Sequence, residues 1–260
     1  MHRIRFRDPA GTERTGSLTD GEVTFGNQSY GIDEVEVLPP AEPTKIVCIG
    51  LNYSDHAEET DSEIPDRPLL FLKTPNAVAA HGSTIRLPEG KERIDHEAEL
   101  GVVIGSQCRN VPAERAEEVI AGYTCMNDIS NRDDQRVEQN WVRGKAFDNA
   151  APLGPVLATP DEVPDDADIS LRVNGEVRQH STIGNLIFPV PELIEEIRWS
   201  RVESCRVSPF TRSAIRASSG TSSGVATTGP IGAAPSNALP RTQFCSRSWS
   251  SRFETSFTQV

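Results

Sequence analysis

The sequence predicts a mixed, β-rich α+β fold. Three observations carry that prediction. Apolar runs of strand length recur through the first 200 of 260 residues, broken by Gly, Asp and Pro. Stretches with helical spacing are few, and the two kinds do not alternate as a parallel βαβ sheet requires. In chain order, HRIRFRD, GEVTFGN and EVEVLPP alternate apolar and polar residues and read as strands of a small N-terminal segment. KIVCIGLNY (45–53) reads as a buried strand entering a turn, and SDHAEET as a short helix start with Ser54 at its N-cap. RPLLFLKTPNAV and ELGVVIG (99–105) are further strands. VPAERAEEVIAGY reads as a helix with Pro112 in its first turn. GYTCMNDIS and PLGPVLATP return to strand. ISLRVNGEVRQ (169–179) reads as a hairpin tipped by Asn174-Gly175, a pair that accepts the positive φ angles of a tight turn. VPELIEEIRW (190–199) reads as an amphipathic helix.

Composition narrows the function. Formal net charge is −12, and no basic face is visible in the first 200 residues, which argues against nucleic acid as a partner. No run of 18 apolar residues offers a membrane span, and MHRIRFRDPAG lacks the apolar core of a signal peptide. Five cysteines, an odd number without a CxxC pair, fit a reducing cytoplasm and argue against a zinc cluster. Only four lysines (45, 73, 91, 145) stand against 22 arginines. High acid with scarce lysine points to a halophilic setting, where salt screens repulsion between surface acids. It also makes each lysine that remains worth following.

Three segments are expected: 1–42, a β-rich N-terminal piece; 43–199, the body of the protein; and 200–260, a tail of different character. Residues 1–200 carry 36 acids against 19 Lys plus Arg, while 201–260 carry two acids against seven arginines, and 20 of those 60 residues are Ser or Thr. Apolar periodicity vanishes there, so the tail cannot bury enough surface to offset the entropy of ordering it. A natural disordered tail and a shifted reading frame near residue 200 both produce such a stretch. The abrupt inversion of charge favours the shift.

Chemistry is concentrated in the body. DHEAELGVVIG places Glu97 and Glu99 two residues apart, hence on one face of a strand. GYTCMNDIS places Asp128 at the polar end of another. Such a pair is either a solvated strand face or, with a third acid arriving, an all-oxygen pocket suited to a hard divalent cation. In NYSDHAEE, His56 and Glu59 share a helix face, an arrangement found both in general bases and on ordinary polar surfaces. NDISNRDDQ offers Arg132 and Gln135 as donors toward a developing negative charge, unless it is a plain polar loop. In RGKAFDN, Lys145 follows a glycine that permits close approach; it is either a solvated lysine or a charge beside bound substrate.

Together these motifs resemble the fumarylacetoacetate hydrolase family. The match lies in NYSDHAEE (52–59), FLKTPNAV (71–78), DHEAELGVVIG (95–105), GYTCMNDISNRDDQ (122–135), GKAFD (144–148), LGP (153–155) and VNGEVRQ (173–179), in order. The resemblance implies a β-sandwich roll, usually a homodimer. It implies Glu97, Glu99 and Asp128 as ligands of Mg²⁺ or Mn²⁺, and His56 and Glu59 as the dyad that activates water. Arg132, Gln135 and Lys145 are then contacts to substrate and its oxyanion. The implied substrates are small 2-oxo or 2,4-dioxo acids, often from aromatic catabolism. With both members of the dyad present, the expected reaction is C–C hydrolysis of an acylpyruvate through a metal-bound enolate. The alternatives are isomerisation, decarboxylation or tautomerisation of 2-hydroxyhepta-2,4-diene-1,7-dioate or oxaloacetate, which need the enolate and no attacking water, or an inactive remnant. After about residue 199 the family continues with a Pro-Gly-Asp turn and a Thr-Gly-Thr-Pro loop. Here only Gly220-Thr221-Ser222-Ser223-Gly224-Val225 echoes that loop. The sheet is accordingly expected to be incomplete, with open edges.

Overall fold

A computed structural model describes residues 2–197 and the backbone of two further strands, 242–246 and 253–259. The N-terminal segment forms β1 (His2–Arg7), β2 (Glu13–Thr19), β3 (Glu22–Phe25), β4 (Gln28–Gly31) and β5 (Glu36–Leu38). Its alternation is of the half-buried kind: Ile4, Phe6, Leu18 and Val23 turn inward without exposure. Next come β6 (Ile46–Ile49), the short helix α1 (Ser54–Glu59) and β7 (Leu70–Lys73), with β6 and β7 antiparallel. Short strands β8 (Val78–Ala79), β9 (Thr84–Ile85) and β10 (Ile94–Asp95) lead into the long hairpin of β11 (Ala98–Ile104) and β12 (Ile120–Asn127). β13 (Ser130–Asn131) pairs with β10, and one-turn helices α2 (Arg132–Gln135) and α3 (Val142–Lys145) follow. The chain continues through β14 (Ala151–Pro152), β15 (Val156–Leu157), the hairpin β16 (Asp168–Val173) and β17 (Glu176–Thr182), and helix α4 (Val190–Glu196).

Pairing ties these pieces together. β15 and β5 share one edge of β1, so residues from the body complete the N-terminal sheet. Val156, Ala158, Val163 and Ala167 lie in the same apolar core as Ile4 and Phe6. A second core joins Cys48, Phe71, Ile85, Met126, Ile129 and Leu153 beneath the site described below. From the last segment, the backbones of β18 (Thr242–Ser246) and β19 (Phe253–Gln259) extend the sheet β17-β16-β18-β19-β9. The edge of β16 opposite β17 is thereby paired. The rest of 198–260, with the Gly220–Val225 echo, lies outside the described residues.

Several local expectations change. Residues Ala113–Glu118 form a 3-10 helix with Pro112 at its N-cap, not an α-helix. The β-branched Val119 and Ile120 that follow favour extended backbone, and Ile120 opens β12. Ser54 is the first helical residue of α1, and Tyr53 holds the N-cap position without a side-chain bond. PLGPVLATP is two short strands on either side of Gly154-Pro155, where proline lacks the N–H a ladder needs. The Asn174-Gly175 turn takes φ of 52° and 84°, as its sequence requires.

Gly122 sits at the seam between the two sheets. Its φ is 155°, and a Cβ there would lie 2.2 Å from the Ala158 carbonyl oxygen. That oxygen accepts from the Tyr123 N–H at 2.8 Å, while Ala158 N–H donates back to Tyr123 at 2.9 Å. Gly122→Ala is expected to lower unfolding free energy by about 1–3 kcal/mol with an unchanged denaturant slope, read from urea titrations.

Candidate active site

The β11–β12 hairpin builds the site. Its register pairs Ala98 with Asn127 and Glu99 with Met126. The next step outward sets Glu97 opposite Asp128, whose N–H donates to the Glu97 carbonyl at 2.8 Å. Asn127 Oδ1 accepts from the Glu97 N–H at 3.0 Å and fixes the hairpin end. Alternation then puts Glu97, Glu99 and Asp128 on one face.

Two buried lysines and an arginine meet this face. Lys145, from the last position of α3, donates to Glu97 Oε2 at 2.9 Å, Asp128 Oδ2 at 2.7 Å and Ser130 Oγ at 2.6 Å. Its ammonium also lies 4.7 Å from the centre of the Phe71 ring, a cation–π contact. Lys73, from β7, places its nitrogen 2.8 Å from Asp128 Oδ1. Arg132 opens α2, where the Asn131 side chain caps the N-terminus. Its guanidinium pairs with Asp95 at 2.8 Å and with Glu97, and donates to Gln135 Oε1 at 2.7 Å.

The three acids feel this charge unequally. Burial works to raise the Glu97 pKa, but Lys145 and Arg132 outweigh it and hold the group at about 2. Glu99 goes the other way. Burial, then the charges of Glu97 and Asp128, push it well above the ordinary carboxylate range, and Lys145 offsets only part of that. The Glu99 side chain makes no hydrogen bond with the described residues; it lines a cavity of about 230 Å³, as do Asp128, Tyr53 and Thr124. Burial lowers Lys145, yet Asp128 and Glu97 prevail and its pKa is raised, so it stays an ammonium at neutral pH.

An all-oxygen set with a carboxylate short of positive charge fits a hard divalent cation by its donor chemistry. As the side chains stand, no three His, Cys, Asp or Glu groups among the described residues close on one point, and the Lys145 ammonium lies between Glu97 and Asp128.

Of the residues singled out by sequence, the structure thus gathers Glu97, Glu99, Asp128, Arg132, Gln135 and Lys145. His56 and Glu59 lie apart on α1, exposed, with Nδ1 and Oε2 4.0 Å from each other. No contact joins them to the acids among the described residues. Their helix is held instead by Asp55, which accepts from Ser181 at 2.7 Å and Asn185 at 3.0 Å. Sequence reasoning missed Ser130, Asp95 and Lys73. For Lys73 a signal existed: it is one of four lysines and, two residues from Phe71, falls on the buried face of its strand.

Comparison with known proteins bears on the family and the fold. The family model described as "Fumarylacetoacetate (FAA) hydrolase C-terminal" matches residues 45–208. An uncharacterized protein of Archaeoglobus fulgidus is 47% identical over 176 residues, covering 67% of this chain and 70% of that protein. Oxaloacetate tautomerase YisK of Bacillus subtilis is 40% identical over 180 residues, covering 66% of this chain and 60% of that protein. The structure of 5-carboxymethyl-2-hydroxymuconate delta-isomerase from Mycobacterium smegmatis superposes with a TM-score of 0.76 at 31% identity, covering 100% of this chain and 98% of that one. Fold and motifs define an enzyme class rather than a binding module. The chain belongs to the fumarylacetoacetate hydrolase family.

The opposed shifts of Glu97 and Glu99 give opposite dependence on pH. Glu97, with its pKa lowered to about 2, stabilises the fold above its ordinary pKa; this is lost as pH falls toward 2. Glu99, with its pKa raised, contributes stability below the ordinary value that is lost as pH rises through its folded pKa. In chelator, Glu97→Gln is expected to flatten the fall in stability between pH 5 and about 2.5, measured by urea unfolding. Glu99→Gln is expected to raise stability at pH 7 by about 1–3 kcal/mol in the same assay, because the amide need neither take up a proton nor bury a charge on folding.

Proposed function

We propose that this chain is a divalent-metal-dependent enzyme that handles the enol and enolate forms of small 2-oxo dicarboxylic acids, with tautomerisation or isomerisation as its reaction. The observation that carries this reading is the buried Lys145 ammonium set among acids on one face of the β11–β12 hairpin. The tautomerase and isomerase among its relatives support it.

Glu97, Glu99 and Asp128 would hold the cation, Mg²⁺ or Mn²⁺, which supplies Lewis acidity toward the oxygens of a 2-oxo acid. Lys145 keeps a positive charge among the acids; its three protons go to Glu97, Asp128 and Ser130, so it would act on a developing enolate oxygen through its charge. Arg132 commits three N–H groups to Asp95, Glu97 and Gln135. Two of its five remain for a substrate carboxylate. Gln135 orients the guanidinium. Moving a proton between carbon and oxygen requires no water held for attack. A homodimer belongs to the same proposal on the strength of the family resemblance.

Hydrolysis is the second reading, favoured by the pairing of His56 with Glu59 on one exposed face of α1. It requires that pair to reach the substrate. Assays of purified chain with Mg²⁺ on enol-oxaloacetate, followed by the decay of enol absorbance, and on an acylpyruvate, followed by its cleavage, separate the two. Tautomerisation that falls about 100-fold or more in Lys145→Met and is unchanged in His56→Ala is expected. Acylpyruvate cleavage as the dominant activity, lost in His56→Ala, replaces the proposal with the hydrolase. A chain with no cooperative thermal transition and no response to Mg²⁺ is an inactive remnant.

A further inference from the structure

Lys73 is 1% exposed, yet it carries an ammonium at the centre of the fold. That nitrogen donates to the carbonyls of Ile129 at 3.0 Å, Lys145 at 2.8 Å and Ala150 at 2.8 Å. The three carbonyls belong to three segments: the turn after β12, the end of α3 and the approach to β14. An ammonium has three protons, and all three are used here. Asp128 Oδ1, 2.8 Å from the same nitrogen, is therefore met by charge without a proton aimed at it, and it accepts no hydrogen bond of good geometry. The other oxygen of the same carboxylate belongs to Lys145.

We propose that Lys73 is the positioning residue of the site: by holding Asp128 Oδ1 and the Lys145 carbonyl on one nitrogen, it sets where Asp128 Oδ2 and the Lys145 ammonium stand. This rests on reading Glu97, Glu99 and Asp128 as metal ligands. Lys145 reaches the acids from a helix of one turn, α3, which has few hydrogen bonds of its own to hold it. Lys73 is bonded to the final residue of that helix and is paired with the acid its side chain must reach. The lysine is enclosed by the core containing Phe71, Met126 and Ile129, so the anchor cannot drift toward water. A buried lysine kept only for folding would need its carbonyl contacts alone; the pairing with a carboxylate of the site is what assigns it a role in function.

Two measurements test this. Mn²⁺ binding, read from the paramagnetic resonance of the free ion, is compared among wild type, Lys73→Met and Ile85→Ala, a truncation in the same apolar core. Lys73→Met is expected to weaken Mn²⁺ by tenfold or more, the loss typical of groups that orient metal ligands, while Ile85→Ala changes it less than about threefold. Equal shifts in the two variants overturn the proposal. The second measurement is a cycle of Lys73→Met and Asp128→Asn by thermal midpoint in chelator. The double variant is expected to melt above the value that adding the two single losses gives, because removing both partners leaves no lone buried charge. Additive losses overturn it. Should Lys73→Met alone fail to fold, a folded double variant shows the same coupling, and a double that also fails to fold overturns it. A wild-type chain that binds no Mn²⁺ overturns the metal reading and this role with it. Binding by wild type with an additive cycle overturns Lys73 alone.

Discussion

Three carboxylates set side by side on one hairpin face repel each other, and the neighbouring elements are arranged around that repulsion. In a medium of low dielectric the cost of such a cluster reaches several kcal/mol per unpaired charge. The structure offsets it with two lysines that divide the two oxygens of Asp128 between them and an arginine that takes Glu97. This explains why lysine, scarce in the chain, occurs in two buried positions, and why three short segments around α3 and β14 keep defined conformations with so little secondary structure. Glu99 is left without a partner of its own. Its burial among two other acids raises its pKa, so compensation within the cluster is incomplete at Glu99.

The strand pattern of this fold was legible because alternation has few interpretations. β1, β3, β5, the β16–β17 turn and the shared face of Glu97 and Glu99 follow from period-two patterning and turn chemistry, whereas β2 and β4, ERTGSLT and QSYG, hold too few apolar residues to be read that way. In VPAERAEEVIAGY the helical reading holds for Ala113–Glu118, as a 3-10 helix, and fails from Ile120 on, which pairs with β11. At the site, spacing indicates that Glu97 and Glu99 share a face, but no spacing rule says that Asp128 arrives opposite Glu97. That fact is a matter of hairpin register. His56 and Glu59 show the converse: spacing correctly puts them on one helix face, yet cannot say which way that face looks.

Family membership and site chemistry answer different questions. The family is secured by matches over the body of the chain, and relatives within it carry tautomerase and isomerase names. One arrangement of acids and a lysine around an enolisable substrate serves several reactions, and the difference lies in whether water or a proton is delivered to the reacting carbon. His56 and Glu59 make no contact with the acids among the described residues, although Tyr53 at the N-cap of α1 lines the same cavity as Glu99 and Asp128. Asp55 ties α1 to the β16–β17 hairpin and the turn after it, and that hairpin meets the strand of the acids through Gln179, which exchanges hydrogen bonds with the Ala98 backbone.

The N-terminal sheet borrows β15 from far along the chain. Residues 156–157 lie on β1 next to residues 3–4, and Val156 and Ala158 close the core that Ile4 and Phe6 begin. During synthesis on the ribosome, the first 42 residues therefore emerge with an apolar face and an unpaired edge that stay open until more than 150 residues have been made. At translation speeds of roughly 5–20 residues per second, that interval lasts of the order of ten seconds. The N-terminal sheet is thus among the last parts of the described fold to be finished, and its exposure to chaperones is set by the topology of a two-residue strand.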